Sequence, residues 1–341
     1  DRHGAGLQMC HTHGFYQMYL HKQGRSLPEA PHPLSPSPIP SPPPGEGERM
    51  QAPEADRSNG RSDTSPLSRV GGSAMGEGDR GVRGLYSALG RTLLLETDSE
   101  AILAIAEDTF GRFGPSPDRT PDITLQISGP PSDPPAAFRS HVLLYAFLSQ
   151  LRDHGLMAVH GSALVKNGRA VLLRGPSGTG KTTLAYAGAR SRFRLLSEDV
   201  VWIDLRAGLW RGIPWHVHLL PDAGRLFPEL DGRPAVLESA GKMKLEVDLD
   251  TIRPGSTATE ARPGPIVLLE REPGTGSRLD PLDPLAPDAA LELWRRSPAG
   301  TEEDFPGYLD HVKDLLKNGA WRLRRGTDLD EALGLLETLL E

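Results

Sequence analysis

One cysteine, Cys10, stands in 341 residues, so no intrachain disulfide framework and no cysteine-rich zinc module can form. Aromatic residues are sparse, at 6%. The longest strongly apolar run, Val142 to Leu148, falls well short of the ~20 residues that a bilayer-spanning helix needs. An excess of basic charge is missing as well. Lys and Arg number 38 against 45 Asp and Glu, a formal charge of −7. That balance argues against nucleic acid or an anionic membrane as the main partner, because both reward clustered cations. The expected setting is soluble, reducing and cytoplasmic.

What the chain holds in plenty is glycine and proline, 38 and 32 residues, more than an ordinary globular domain uses. At about 150 residues per domain the length allows one or two domains. Pro28, Pro31, Pro33, Pro36, Pro38, Pro40, Pro42, Pro43 and Pro44 fall in one stretch interleaved with serine. Nothing from Asp1 to about Gly84 repeats at helix or strand spacing, and the apolar core of a signal peptide is absent. Such a segment cannot bury enough surface to offset its ordering entropy. Residues 1–83 are therefore expected to be a disordered tail. Met75 stands just before the first patterned sequence, so the first 74 residues are read as an extension without catalytic duty. Cys10, His11, His13 and His21 within it read as chance neighbours rather than a metal cluster, since structural sites sit on folded turns with tight spacing.

Residues 84–155 read as a small αβ portion. Thr92 to Leu95 and Ile123 to Ile127 have strand character, Glu100 to Phe113 is helical, and Ser140 to His154 carries apolar residues at helical spacing. No chemistry is recognisable there, and its expected role is packing against the domain of residues 156–341.

That domain opens with a strand-like run, Leu156 to Lys166, then Asn167-Gly168, then Arg169 to Arg174. Asn-Gly between apolar runs predicts a hairpin, because both residues tolerate positive φ. The second strand leads into Gly175-Pro176-Ser177-Gly178-Thr179-Gly180-Lys181-Thr182, followed by a helix from Thr183. This is GxxxxGK[ST] in the strand–loop–helix context that the motif requires. Glycines let backbone amides close around phosphate oxygens, and the helix N-terminus adds its positive end. Lys181 is expected on the β- and γ-phosphates and the Thr182 hydroxyl on Mg2+. Thr183 completes the expected nucleotide contacts.

Phe193 to Leu196 reads as a core strand ending in Glu198 and Asp199, with Val200 to Ile203 following. As a parallel strand beside the loop strand it would put both carboxylates at the ligand edge of an open α/β sheet. One could then hold Mg2+ and the other take a proton from an attacking hydroxyl. His160-Gly161 lies twenty-one residues before Lys181.

His160-Gly161, the hairpin, the Gly175–Thr182 loop and the acidic pair together resemble the core of HPr kinase/phosphorylase, over about residues 159–203. The resemblance implies an α/β P-loop kinase core of the HPr kinase and phosphoenolpyruvate carboxykinase-like type. It implies ATP and Mg2+, with Lys181 on phosphate, Thr182 and Glu198 on the metal, Asp199 accepting the proton of a serine hydroxyl, and His160 as the active-site histidine. Glu198 stands where the family has Asp. Leu209, before Trp210-Arg211-Gly212, stands where the family has a metal-binding Glu, and the family's Asn-x-Arg signature has no counterpart. HPr as acceptor and a phosphorylase reaction are thus not implied.

Further along, His216 and His218 share one strand face and read as solvated polar positions rather than as substrate-facing or metal-binding ones. Lys242 and Lys244 share another strand face and are candidates to add charge near a transferring phosphoryl group. Arg271 ends a buried strand, where it could stabilise transition-state charge, though a surface ion pair is its simpler role. Asp222 to Leu230, Ala289 to Arg296, Glu302 to Lys317 and Leu329 to Leu340 read as helices, and Trp321 to Arg324 as a strand. Arg322, Arg324 and Arg325 are too few, and lack interleaved aromatics, for nucleic-acid binding. The expected activity is ATP-dependent transfer of a γ-phosphate to a hydroxyl of a protein, peptide or small molecule, possible oligomerisation aside. A P-loop ATPase and a non-catalytic nucleotide-binding regulator are the alternatives.

Overall fold

A computed structural model describes residues 81–114, 120–131, 135–239, 242–282, 287–297, 302–317 and 319–341. The expected tail and its Cys10, His11, His13 and His21 group lie outside the described residues. Among those described, no helix is long and apolar enough to cross a membrane.

The chain begins with β1 (Val82–Ala88), β2 (Arg91–Thr97), helix α1 (Glu100–Phe110) and β3 (Ile123–Gln126). Ser99 caps α1, its side chain accepting from the Ile102 amide. β1 pairs antiparallel and β3 parallel with β2, giving a three-stranded sheet. Where the spacing predicts one helix over 140–154, the structure has a broken one. It runs from Pro135–Phe138 through a π turn, Arg139–Leu143, to Leu144–Leu148, with a separate 3-10 turn at Leu151–His154. Phe110, Phe138, Phe147, Leu93 and Ile102 pack this portion, and Leu156 and Trp202 join the same cluster.

Next come β4 (Leu156–His160), β5 (Ser162–Lys166), β6 (Arg169–Arg174), helix α2 (Lys181–Ser191), β7 (Arg194–Ser197), β8 (Val200–Asp204) and β9 (Leu209–Arg211). The run expected as one strand over 156–166 is divided at Gly161. β4 pairs with β8 in one sheet, while β5 pairs with β6 and β7 in another. The Asn167-Gly168 turn joining β5 to β6 has φ of 54° and 72°, as its sequence predicts.

The remainder supplies β10 (His216–Leu219), β11 (Leu237–Ser239), β12 (Lys242–Asp248), β13 (Glu260–Ala261), β14 (Ile266–Arg271), β15 (Arg278–Leu282), α3 (Pro287–Arg295), α4 (Tyr308–Lys317), β16 (Ala320–Arg325) and α5 (Leu329–Thr338). Two expected helices are interrupted by proline, which disfavours helical backbone in the residue before it. Residues 222–230 form two 3-10 turns around Pro228. Glu302–Asp304 is a 3-10 turn separated from α4 at Pro306.

The central sheet has the order β15-β16-β14-β6-β5-β7. β6, β14 and β16 run parallel, and β5 is antiparallel to both β6 and β7. β7 therefore runs in the same direction as β6 but, contrary to the sequence expectation, does not lie beside it: β5 stands between. Its carboxyl end still reaches the edge at which β6 ends. β6 and β14 are buried on both faces, as parallel strands between layers must be. Val171, Leu173, Val267 and Leu269 meet α2 and α5 on one side. Leu172, Ile266 and Leu268 meet α3 and α4 on the other. The result is a mixed α/β fold with its glycine loop at the carboxyl edge of the main sheet.

Candidate nucleotide site

The loop leaves β6 at Arg174 and enters α2 at Lys181, with Gly180 as the N-terminal residue flanking the helix at φ 93°. Gly175 is fixed by close approach: a Cβ there would sit 2.4 Å from the Leu269 carbonyl oxygen. The Thr179 hydroxyl closes the loop on itself by donating to the Pro176 carbonyl at 2.9 Å. Lys181, only 8% exposed, folds back across it and donates to the carbonyls of Gly175 at 2.6 Å and Pro176 at 3.2 Å. Burial pushes its pKa down, and the charge of Asp199 partly opposes that shift. The lysine thus stands where a polyphosphate would exchange loop carbonyls for phosphate oxygens. Thr182 and Thr183 occupy the first turn of α2.

The loop entrance is held from below by a buried network. Arg174, fully buried, makes a two-pronged pair with Glu302: Nη1 lies 3.2 Å from Oε1 and Nη2 lies 3.1 Å from Oε2. Its guanidinium lies 4.1 Å from the Trp294 ring centroid and donates to the His160 carbonyl at 2.7 Å. The Tyr308 hydroxyl donates to Glu302 at 2.6 Å, and the Ser297 hydroxyl donates to the Gly175 carbonyl at 3.0 Å. Glu302 also accepts the backbone amide of His160. One buried acid therefore fastens both the start of the loop and the end of β4. Removing one partner of a buried pair strands the other's charge, whereas removing both does not. Arg174→Met is expected to cost about 3–5 kcal/mol in urea unfolding, and the Arg174→Met, Glu302→Leu double variant clearly less. Equal losses in the two variants would contradict the pairing.

The two adjacent acids diverge. Asp199, with a side chain 67% exposed, places Oδ1 3.3 Å from His160 Nδ1, and its carbonyl accepts the Gly161 amide at 2.7 Å. Asp199, His160 and the loop entrance are thus brought together. Glu198 turns instead toward β10. Its Oε1 accepts from the His218 amide at 3.1 Å and stands 2.7 Å from His218 Nδ1. The other His218 nitrogen meets Glu246 Oε2 at 3.3 Å. Glu246 pairs with Arg139 at 2.6 Å, and Arg139 with Asp108 at 3.0 Å. An alternating chain of charges therefore runs from Asp108 on α1 to Glu198.

His216 and His218 are accordingly not the solvated positions expected from their alternation, because the side chains of Glu198, Glu246 and Arg139 close on them. Burial alone would lower the His218 pKa, but hydrogen bonds to Glu198 and Glu246 outweigh it and hold the pKa at about 9. Burial and the Arg139 charge push His216 down to about 4. Burial raises Glu246, but His218, His216 and Arg139 bring it down to about 2. The His218 contribution to stability is full below 6.5, its ordinary value, and is lost as pH rises through about 9. The Glu246 contribution is full above 4.5 and is lost as pH falls through about 2. Raising pH from 6.5 to 9 should lower the urea midpoint of the wild type more than that of His218→Asn. Parallel declines would refute the pairing.

Lys242 and Lys244 lie on the β12 face that also carries Glu246. Lys242 is exposed and Lys244 half-buried. Arg271 is not in an ion pair among the described residues; it is the register partner of Arg325 on β16. Arg211, before Gly212, is spent on Asp204 at 3.0 Å and Glu260 at 2.6 Å. A cleft of about 640 Å3 opens at the first half of the loop, with Gly175 to Thr179, Arg271, Arg296 and Arg324 in its wall. Among the described residues no cluster of three or more His, Cys, Asp or Glu is arranged to hold a metal. Mg2+ needs no such cage, since one or two protein oxygens with phosphate and water complete its shell. The Thr182 hydroxyl and the Glu198 oxygen that His218 leaves free are donors of the right kind.

Reasoning from sequence does not single out Glu302 or Glu246, reads His218 as a solvated position, and gives Arg325 no role. Glu302 reads as an ordinary helix start, and only the neighbouring arginine at the loop's entrance, a charge amid apolar residues in β6, hinted that an acid must meet it.

No family model matches the chain, and no curated protein matches it. Among solved structures, the Hpr(Ser) kinase/phosphatase from Coxiella burnetii aligns with 54% of this chain and 93% of its own length, at 11% identity and a TM-score of 0.28, a distant likeness.

Proposed function

We propose that the chain is a P-loop phosphotransferase that moves the γ-phosphate of ATP to a hydroxyl of a protein, peptide or small-molecule acceptor. One observation carries this reading: Lys181 is buried on a glycine loop at a helix N-terminus, with the exposed carboxylate of Asp199 near enough to bias its charge. In this reading the amides of Gly178, Thr179, Gly180 and Lys181 hold the polyphosphate. Thr182 and Glu198 hold Mg2+, which when bound neutralises charge on the phosphates. His218 fixes Glu198 as its outer partner.

Asp199 accepts the acceptor's hydroxyl proton as the oxygen attacks the γ-phosphorus and the bond to the β-phosphate oxygen breaks. His160, whose Nδ1 lies 3.3 Å from Asp199 Oδ1, orients that carboxylate. Its open position suits an acceptor larger than water. Most of the acceleration then comes from positioning and charge stabilisation. Residues 156–341 carry this machinery, and residues 84–155 brace it through the Asp108–Arg139–Glu246 link.

The test is incubation of the protein with γ-labelled ATP, Mg2+ and cell extract, followed by mass spectrometry of labelled products. A labelled hydroxyl-bearing product that needs Lys181 and Asp199 supports transfer. Saturable ATP hydrolysis of the same rate with and without extract, and no labelled product, would assign an ATPase instead.

A further inference from the structure

Alternation along β16 places Arg322 and Arg324 on one face and Leu323 and Arg325 on the other. The first two are matched by acids: Arg324 lies 2.8 Å from Asp280, and Arg322 lies 3.8 Å from Glu270. Arg325 is not. It is 7% exposed, and its Nε donates a long hydrogen bond to the Thr179 carbonyl at 3.4 Å. Among the described residues it meets no carboxylate. The charge nearest in effect is another cation, Arg271, its register partner at the end of β14. Burial and Arg271 both push its pKa down, so the fold holds an uncompensated guanidinium at a cost.

Its placement is specific. A Cβ on Gly180 would lie 3.0 Å from Nη2 and 3.3 Å from Cζ of Arg325. The guanidinium therefore lies against Gly180 at the N-terminus of α2, where free amides and the helix dipole add positive potential. Strand order places it with respect to the rest of the site. β14 and β16 flank β6 on one side, and β5 and β7, which lead to Asp199, lie on the other. An anion drawn to Arg325 thus lies on the flank of the loop away from Asp199.

We infer that Arg325, with Arg271 beside it, is a guanidinium subsite for the inner phosphates of the bound nucleoside triphosphate, and that it sets the nucleotide's polarity by leaving the γ-phosphate on the Asp199 side. This rests on the reading of the loop as a nucleotide site. The cost of burying an unmatched cation is the kind of stability loss that binding sites tolerate for function.

The experiment is calorimetric titration of wild type, Arg325→Gln, Arg325→Lys and Arg271→Gln with Mg-ATP and Mg-ADP, together with thermal unfolding of each protein free of nucleotide. Losing a charge-assisted contact with phosphate should weaken Arg325→Gln roughly 10- to 100-fold. The factor should be the same for ATP and ADP, because both carry the inner phosphates. Arg325→Lys should recover part of the loss. Arg271→Gln, more exposed and easily accommodated, should weaken both nucleotides less. The unliganded Arg325→Gln protein should unfold at the wild-type temperature or above it, since a buried unmatched charge has gone. Unchanged affinity in Arg325→Gln, or a loss confined to ATP, would overturn the assignment. Should Arg325→Gln not fold, unchanged affinity in Arg271→Gln and in Arg325→Lys would overturn it equally. A wild type that binds neither nucleotide would instead sink the reading of the loop, and this subsite with it.

Discussion

Lys181→Ala is expected to lower phosphotransfer about 10²–10³-fold, the usual scale for losing one preorganised charge at a reacting centre, and to weaken Mg-ATP binding in the same protein. The side chain has one task in this structure and a second in the proposed reading. It ties the loop through the carbonyls of Gly175 and Pro176, and on the proposed reading it exchanges those acceptors for phosphate oxygens when nucleotide binds. Alanine removes both, so affinity and turnover should fall together, whereas the fold, held by Arg174 and Glu302 below the loop, should persist. Its pKa adds a signature. Burial lowers the lysine and Asp199 opposes the change, so nucleotide affinity should decline with rising pH before an ordinary lysine would titrate. Removing the Asp199 charge should move that decline to still lower pH. Calorimetry across pH measures this, and coincident profiles in wild type and Asp199→Asn would contradict it.

Asp199→Asn should separate binding from chemistry. The amide keeps the size and the contact with His160 but cannot take the hydroxyl proton, so transfer should drop about 10²–10⁴-fold, the range for a general base. Mg-ATP should still bind at neutral pH, because the loop and Lys181 are intact. Asp199 points outward, beside the His160 ring and open to solvent, where an acceptor can reach it. Glu198, one residue earlier, is turned inward to His218 and should behave differently: on the proposed reading, Glu198→Gln is a change at the metal side. Measured transfer and affinity of Asp199→Asn decide the matter. Transfer at the wild-type rate would remove the base from the account.

Legibility in the sequence followed locality. The loop, its glycines, the helix after it and the Asn167-Gly168 turn depend on residues within a few positions of one another, and each could be read directly. The parting of Glu198 from Asp199 could not. It depends on His218 and Glu246, brought against the turn by β10 and β12 pairing across 28 residues. The two histidines looked solvated because alternation tells which residues share a face but not what covers it. β5 hid in a longer apolar run for a similar reason: periodicity does not reveal that Gly161 passes the chain from one sheet to another. Buried charges were the least legible. Arg174, Glu302 and Arg325 are polar letters in strands and turns, and only long-range packing shows that Arg174 has its acidic partner while Arg325 meets no carboxylate among the described residues. The interrupted helices at Pro228 and Pro306 were readable in principle, since proline marks the break, but apolar spacing outweighed it.

All of this turns on a glycine loop clasping a magnesium-bound polyphosphate. Isothermal calorimetry of the purified wild-type chain with Mg-ATP, run beside Lys181→Ala, addresses that most directly. Saturable uptake of one nucleotide per chain by the wild type, lost or sharply weakened in the variant, is the expected result. No measurable heat of binding from a folded wild-type protein, or equal binding by both, would contradict it.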